Sequence, residues 1–372
     1  MRAGKSTWRL QRVVRELANG VLWLSLSCVA LNNAFGVAGN GTPAAAPLPA
    51  PAGSKLRVLV VPAFFSDQMG PEPVSQGRLT DVMAQVRAYY LEASFDKLDM
   101  LSTVMPWIRL PVAKPATGCP NNLAIQAVLA SPDTASYRAA GFDRLVVIQP
   151  SVRPQCSWHG LASGNAAWIN GGEAASVIGH ELGHTLGLGH SHQLKCSTDS
   201  KSAPIPSTTA NIIRAGCRII ETGDFYGLMG KWNMGHLIAM HKAQMGWITP
   251  ATHTTGVAEY DLAPIETKDG ALYAVKVIRG GRTFWIERRE AIGFDTYSRD
   301  GLSAITAANG KAGISIRVVD GSIGCSESCV VHMHPDGGDG LSNAALKPGE
   351  RWSDSGMTIE VLGAGRIQVT TP

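Results

Sequence analysis

Apolar residues follow two different rhythms along this chain. Residues 56–61, Leu-Arg-Val-Leu-Val-Val, are a short apolar and β-branched run that predicts a buried strand. Leu79, Val82, Met83, Val86, Tyr90 and Ala93 then recur at the spacing of one helix face, so residues 78–93 predict an amphipathic helix. Residues 98–110 read as one or two strands broken near Pro106, and residues 123–129 as a helix. Residues 145–148 read as another buried strand, residues 161–169 as an edge strand and residues 234–245 as a helix. Strands alternating with helices imply a mixed α/β layer.

The rhythm changes near Tyr260. Short alternating segments at residues 272–278, 283–287, 313–319, 330–333, 358–362 and 366–370 are punctuated by Gly, Asp and Pro, the pattern of an all-β sandwich or barrel. With the boundary near Thr249-Pro250, two folded domains are expected, residues 55–250 and residues 255–372. Residues 40–54 form a Pro/Ala-rich linker with nothing to pack.

Charge and cysteine content narrow the partner and the compartment. The chain of 372 residues carries 33 Lys and Arg against 29 Asp and Glu. The whole excess of +4 lies in residues 1–39, through Arg2, Lys5, Arg9, Arg12 and Arg15 against Glu16. The balanced remainder offers no electrostatic footprint for nucleic acid. The basic start, the apolar run at residues 21–31 and the small residues Ala34, Gly36, Ala38 and Gly39 read as a signal peptide over residues 1–39. That run is short for a bilayer, so no stable membrane span is expected after cleavage and the chain is expected to be secreted or periplasmic. Cys28 belongs to this segment; Cys119, Cys156, Cys196, Cys217, Cys325 and Cys329 remain, an even set that suits an oxidising compartment and predicts three disulfides. Cys325 and Cys329 are close enough to close a small loop, and a Cys196–Cys217 bond would brace the stretch after residue 190, although other pairings stay open.

One segment carries chemistry: His180-Glu181-Leu182-Gly183-His184-Thr185-Leu186-Gly187-Leu188-Gly189-His190. Four residues make about one helical turn, so His180 and His184 share a face and can bind one metal, with Glu181 beside them in reach of a water. Ile178, Leu182 and Leu186 form the opposite, core-facing ridge. A helix ends readily at a glycine with positive φ, so Gly187 would let His190 turn back as a third ligand. Three neutral imidazoles leave a fourth position open, the donor set of a catalytic Zn2+ site with Glu181 as general base.

This motif resembles that of the metzincin zinc metallopeptidases, and the wider sequence is similar to their gametolysin-like family. The stretch Glu221-Thr222-Gly223-Asp224-Phe225-Tyr226-Gly227-Leu228-Met229-Gly230 resembles the family's turn beneath the zinc, which implies Met229 as the residue supporting the ligand cage. Residues 88–98, 156–162, 244–247 and 284–289 are similar in the same order, so the resemblance covers about residues 55–295. Lys231 stands where some metzincins carry a tyrosine, which leaves zinc itself as the main support for a carbonyl oxyanion; Tyr226 could stand in for that tyrosine, but a packing role is the stronger reading. The resemblance implies an α/β (α+β) metzincin-like zinc peptidase domain followed by an all-β sandwich domain. It implies a secreted zinc-dependent metalloendopeptidase acting on protein or peptide, including extracellular or cell-wall glycoprotein.

Two other functions compete with this one. A secreted binding or adhesion protein could keep a metal-stabilised helix without catalysis, although such a site has no use for Glu181. A zinc amidase acting on cell-wall material would share the water chemistry but need another cleft. Elsewhere, His192 is a weaker ligand candidate than His190, His236 and His241 read as surface or cap residues, and His332 and His334 near Asp336 and Asp339 offer a second metal patch as the weaker alternative to a polar strand face and a Gly-rich turn. Glu287, Arg288 and Arg289 could join a polar network with the first domain.

Overall fold

A computed structural model describes residues 54–196, 205, 207–208, 210–211, 216–224, 226–230, 234–296, 312–331 and 345–372. The readings made for residues 1–53, and those for Lys231, His332, His334, Asp336 and Asp339, lie outside the described residues.

The first sheet contains β1 (Ser54–Phe64), β2 (Leu98–Val104), β4 (Arg144–Gln149), β5 (Gly160–Ser163) and β6 (Ala166–Asn170) in the order β2-β1-β4-β6-β5, with β3 (Ile108–Arg109) beside the end of β1. β1, β2, β4 and β6 run parallel, and β5 pairs antiparallel to β6 at the edge. Helices cover both faces, which is why β4 and β6 are buried along their whole length and carry no polar alternation. On one face α1 (Gln76–Ala93) and α4 (Ala175–Thr185) bury Leu79, Met83, Val86 and Tyr90 with Ile178, Leu182 and Leu186. On the other, α2 (Asn121–Ala130) packs Ala124 and Val128 against Leu59, Val61, Val147 and Trp168. The short α3 (Ala135–Ala140) leads into β4.

The span expected as one edge strand is instead a hairpin. Gly164 adopts φ 57° and reverses the chain between β5 and β6, so β6 lies inside the sheet and β5 forms the edge at that end, opposite β2. The segment from 234 is helical only in α5 (Ala239–Gln244). Side chains rather than an earlier turn take its backbone donors: the His236 N–H donates to Asp295 Oδ1 at 2.6 Å and the Ala239 N–H to Glu287 Oε2 at 2.7 Å. His236 and His241 are fully buried and not on the surface, because α5 is sandwiched between the first sheet's helices and the strands that follow.

The remaining strands make two sheets. Seven form a path β8-β7-β14-β13-β12-β11-β9, comprising β7 (His192–Cys196), β8 (Cys217–Ile220), β9 (Ala251–His253), β11 (Ala274–Arg279), β12 (Arg282–Arg289), β13 (Gly313–Asp320) and β14 (Cys325–Val331), with β15 (Ala345–Leu346) on β13. The other sheet is antiparallel, β10-β18-β17-β16, from β10 (Gly256–Asp261), β16 (Arg351–Asp354), β17 (Met357–Val361) and β18 (Arg366–Thr371). Val277, Phe284, Ile286 and Ile316 share one apolar core with Trp352, Ile359 and Val369, so the two sheets bury each other's inner faces. The larger sheet recruits β7 and β8, which precede Thr249-Pro250, and β7 lies parallel to β14 with His192 opposite Cys329. Three disulfides join Cys119 to Cys156, Cys196 to Cys217 and Cys325 to Cys329. Among the described residues no helix is long and apolar enough to cross a membrane.

Candidate metal centre

The site begins with the way α4 ends. The Leu188 N–H donates to the Gly183 carbonyl at 3.1 Å and the Gly187 N–H to the His184 carbonyl at 2.9 Å, while Gly187 takes φ 85°. This paired closure needs a residue in the left-handed region, which glycine enters without a Cβ clash. The chain therefore reverses within three residues, and His190 returns to the helix face that carries His180 and His184.

The three rings converge through their Nε2 atoms. His184 Nε2 lies 3.1 Å from both His180 Nε2 and His190 Nε2, and the three candidate donor atoms all lie within 4.8 Å of one another. Two of the other nitrogens are held, His180 Nδ1–H donating to the Leu228 carbonyl and His184 Nδ1–H to the Leu188 carbonyl, both at 2.8 Å, while His190 Nδ1 faces Glu221 Oε1 at 3.9 Å. Carbonyls that hold Nδ1–H leave Nε2 as a lone pair. Burial, then the neighbouring rings, lowers His180 to about 3, and burial lowers His184 and His190 as well, so all three stay neutral near pH 7. Tetrahedral zinc at about 2.0–2.1 Å from nitrogen needs donors roughly 3.3 Å apart, which this triad meets on two of its edges. The set points to a zinc cofactor.

Glu181 faces the same space and is 7% exposed. Its carboxylate packs on the backbone of Gly160 in β5. Burial pushes its carboxyl up to about 8, and a cation on the adjacent imidazoles would act in the opposite direction. A cavity of about 730 Å³ joins these groups to Gly160, Leu161 and Ala162 on one wall and to Glu221 and Thr222 on another. Trp158 stands on its lip with 56% of its surface exposed.

Met229 is 1% exposed and lies against α4 at Gly183, where a β-carbon would collide with its sulfur. The same turn supplies the Leu228 carbonyl to His180, and the Met229 carbonyl accepts from the Ser191 N–H at 2.8 Å. Tyr90 fixes the helix from behind, its hydroxyl donating to the Gly179 carbonyl at 2.7 Å. Tyr226 is buried and its N–H donates to Asp224 Oδ1 at 2.8 Å, which fits the packing role expected of it.

A second layer was not legible in the motif. Ser191 Oγ donates to Asp224 Oδ2 at 2.6 Å, and Arg317 Nη1 reaches the same oxygen at 2.5 Å. Arg317 also pairs with Glu287 at 3.0 Å, and Glu287 with Arg289, which donates to Asp295 and to the Tyr226 and His236 carbonyls. Glu287 and Arg289 thus join the expected polar network, whereas Arg288 pairs with Glu290 at 3.1 Å. His192 is not part of the triad: its Nδ1 accepts from the Thr222 N–H at 3.2 Å and its Nε2 faces Glu327 Oε2 at 3.5 Å. Glu327 also accepts from the His190 N–H. The one sequence signal for these partners is a charged or small residue in a buried run, such as Gly160 or Arg317, and it does not name a contact.

No family model matches this sequence, and no curated protein matches it. Among solved structures it is similar to metalloproteinase-II from Bacteroides fragilis, with 16% identity over 53% of each chain and a TM-score of 0.34. It is also similar to archaemetzincin from Methanopyrus kandleri, with 16% identity over 38% of this chain and 78% of that one and a TM-score of 0.24. A chaperone–substrate complex gives a TM-score of 0.25 over 37% of this chain. The chain spans about half the length of the metalloproteinase-II that it matches.

Proposed function

We propose that this chain is a secreted zinc-dependent metalloendopeptidase of the metzincin type, gametolysin-like in its motif, with His180, His184 and His190 as metal ligands and Glu181 as general base. The observation that carries the reading is the convergence of three Nε2 atoms beside a buried carboxylate in an open cleft. Gly187 and Met229 act as structural supports, the first by closing α4 and the second by packing under it. Three disulfides support an oxidising compartment and hence secretion.

Zinc bound at the triad supplies a Lewis acid that polarises the scissile carbonyl and lowers the pKa of water. Glu181 takes up the proton released as water attacks and delivers it to the departing nitrogen. β5 is the sheet edge on the cleft wall, so an extended peptide pairs with its free backbone groups, and recognition reads main chain first. That mode favours protein or peptide substrates over a free amino acid or a glycan.

The purified protein is expected to contain about one zinc per chain and to cleave casein or gelatin. A chelator should abolish cleavage and zinc restore it. Glu181→Gln should lower kcat by about 10²- to 10⁴-fold while keeping the metal. Stoichiometric zinc with no cleavage of any peptide would favour a non-catalytic binding protein, and release of amide or acyl groups from cell-wall glycan alone would favour an amidase.

A further inference from the structure

His180 and His184 are rigidly related by one helical turn, but His190 lies beyond a chain reversal and depends on other contacts for its place. We propose that Glu327 is the positioning residue for this third ligand, supplied from the C-terminal sheet by the loop that the Cys325–Cys329 disulfide closes. The proposal rests on the zinc-peptidase reading above and adds a residue to it.

Glu327 touches the reversal and the strand that follows it at three points. Its carboxylate packs against Gly189, where a β-carbon would lie 2.7 Å from Glu327 Cδ. Its Oε2 accepts from the His190 N–H and faces His192 Nε2 at 3.5 Å. His192 is committed to this partner because its other nitrogen accepts from Thr222. Glu327 is therefore a backbone clamp on the ligand segment and not a ligand, and it stands outside the cluster of converging donors.

The loop that presents it is anchored on both sides. Cys325 and Cys329 are fully buried, with Glu327 midway between them on β14. Pairing of Cys329 with His192 across β14 and β7 sets the register two residues past the ligand. A charge-assisted hydrogen bond to a backbone N–H is stronger than a neutral one, and the negative charge lies on the side of the site that receives a cation. Such outer partners of metal-bound histidines carry about 10- to 100-fold in metal affinity.

The test uses the full chain with Glu327→Ala, Glu327→Gln, Gly189→Ala and the Gly189→Ala/Glu327→Ala pair. Zinc affinity is read by competition with a chromophoric chelator, ligand geometry by the visible absorption of the Co2+ form, and folding by urea unfolding of the metal-free proteins. Glu327→Ala should weaken zinc binding by about 10- to 100-fold and alter the Co2+ spectrum. Glu327→Gln keeps an oxygen for the His190 N–H and should recover most of the affinity. Gly189→Ala should mimic Glu327→Ala by displacing the carboxylate and add little to it in the double variant. If Glu327→Ala does not fold, Gly189→Ala still carries the test, since it leaves every partner present. Unchanged affinity and an unchanged Co2+ spectrum in both single alanine variants would overturn the assignment. A parent protein that binds no zinc, or a His184→Ala variant that binds it equally well, would instead overturn the zinc reading on which this depends.

Discussion

The carboxylate of Glu181 and the backbone of Gly160 are fitted to each other: a β-carbon on the glycine would lie 2.6 Å from both Cγ and Oε1 of the glutamate. The edge strand of the cleft and its candidate base are thereby held in one relative position. Gly160→Ala should move Glu181 by an ångström or so and lower kcat/KM on casein by about 100-fold, a loss typical of misplacement on that scale. Zinc content and circular dichroism should stay at parental values; zinc lost along with activity would locate the damage in the ligands.

Gly183 sets two effects against each other. Alanine in a helix interior is worth about 1 kcal/mol over glycine, but here the new methyl would collide with Met229 Sδ, and Met229 and the neighbouring Tyr90 are both buried. Overpacking costs typically about 1–3 kcal/mol, so Gly183→Ala should be net destabilising by roughly 1 kcal/mol. Urea unfolding of the metal-free protein reads the sign, and a stabilised variant would mean that Met229 does not press on α4.

Asp224 gives the fold an acid limit. Burial pushes its carboxyl up, but Arg317, the Ser191 hydroxyl and Arg289 together hold it below the usual value. A depressed carboxylate stabilises the fold fully above its unfolded pKa of about 3.9 and loses that contribution as pH falls through the folded value. Asp224→Asn leaves Arg317 buried with Glu287 as its remaining carboxylate, for a cost near 3 kcal/mol at pH 7. The gap between parent and variant in urea unfolding should shrink between pH 4 and the acid limit of the parent, and a gap independent of pH would contradict the assignment.

The Cys196–Cys217 bond ties β7 to β8 across a sequence separation of 21. Replacing both cysteines with serine should cost about 3 kcal/mol through the loop entropy returned to the unfolded chain. Thermal unfolding checks this. Unaltered stability would show that strand pairing alone carries the segment.

The local elements were legible because their causes are local. The run at residues 56–61 and the spacing of Leu79, Val82, Met83 and Val86 fall within β1 and α1. Long-range contacts override local pattern elsewhere. His236 and His241 sit in a segment whose periodicity resembles a surface helix, yet side chains of Asp295 and Glu287 take up its backbone donors and bury it. Residues 161–169 predict a single strand because Gly164 is one small residue among several, and only its positive φ marks the reversal.

By itself the sequence determined the candidate ligands and base, since His180, Glu181 and His184 lie within one helical turn and Gly187 allows the reversal to His190; these relations follow from backbone geometry over a few residues. Tertiary structure alone decided what holds them. Gly160 against Glu181, Leu228 on His180, Arg317 on Asp224 and Glu327 on His190 join positions far apart along the chain. No local period encodes such pairs, because they exist only once separate sheets have packed and brought their side chains to a common place.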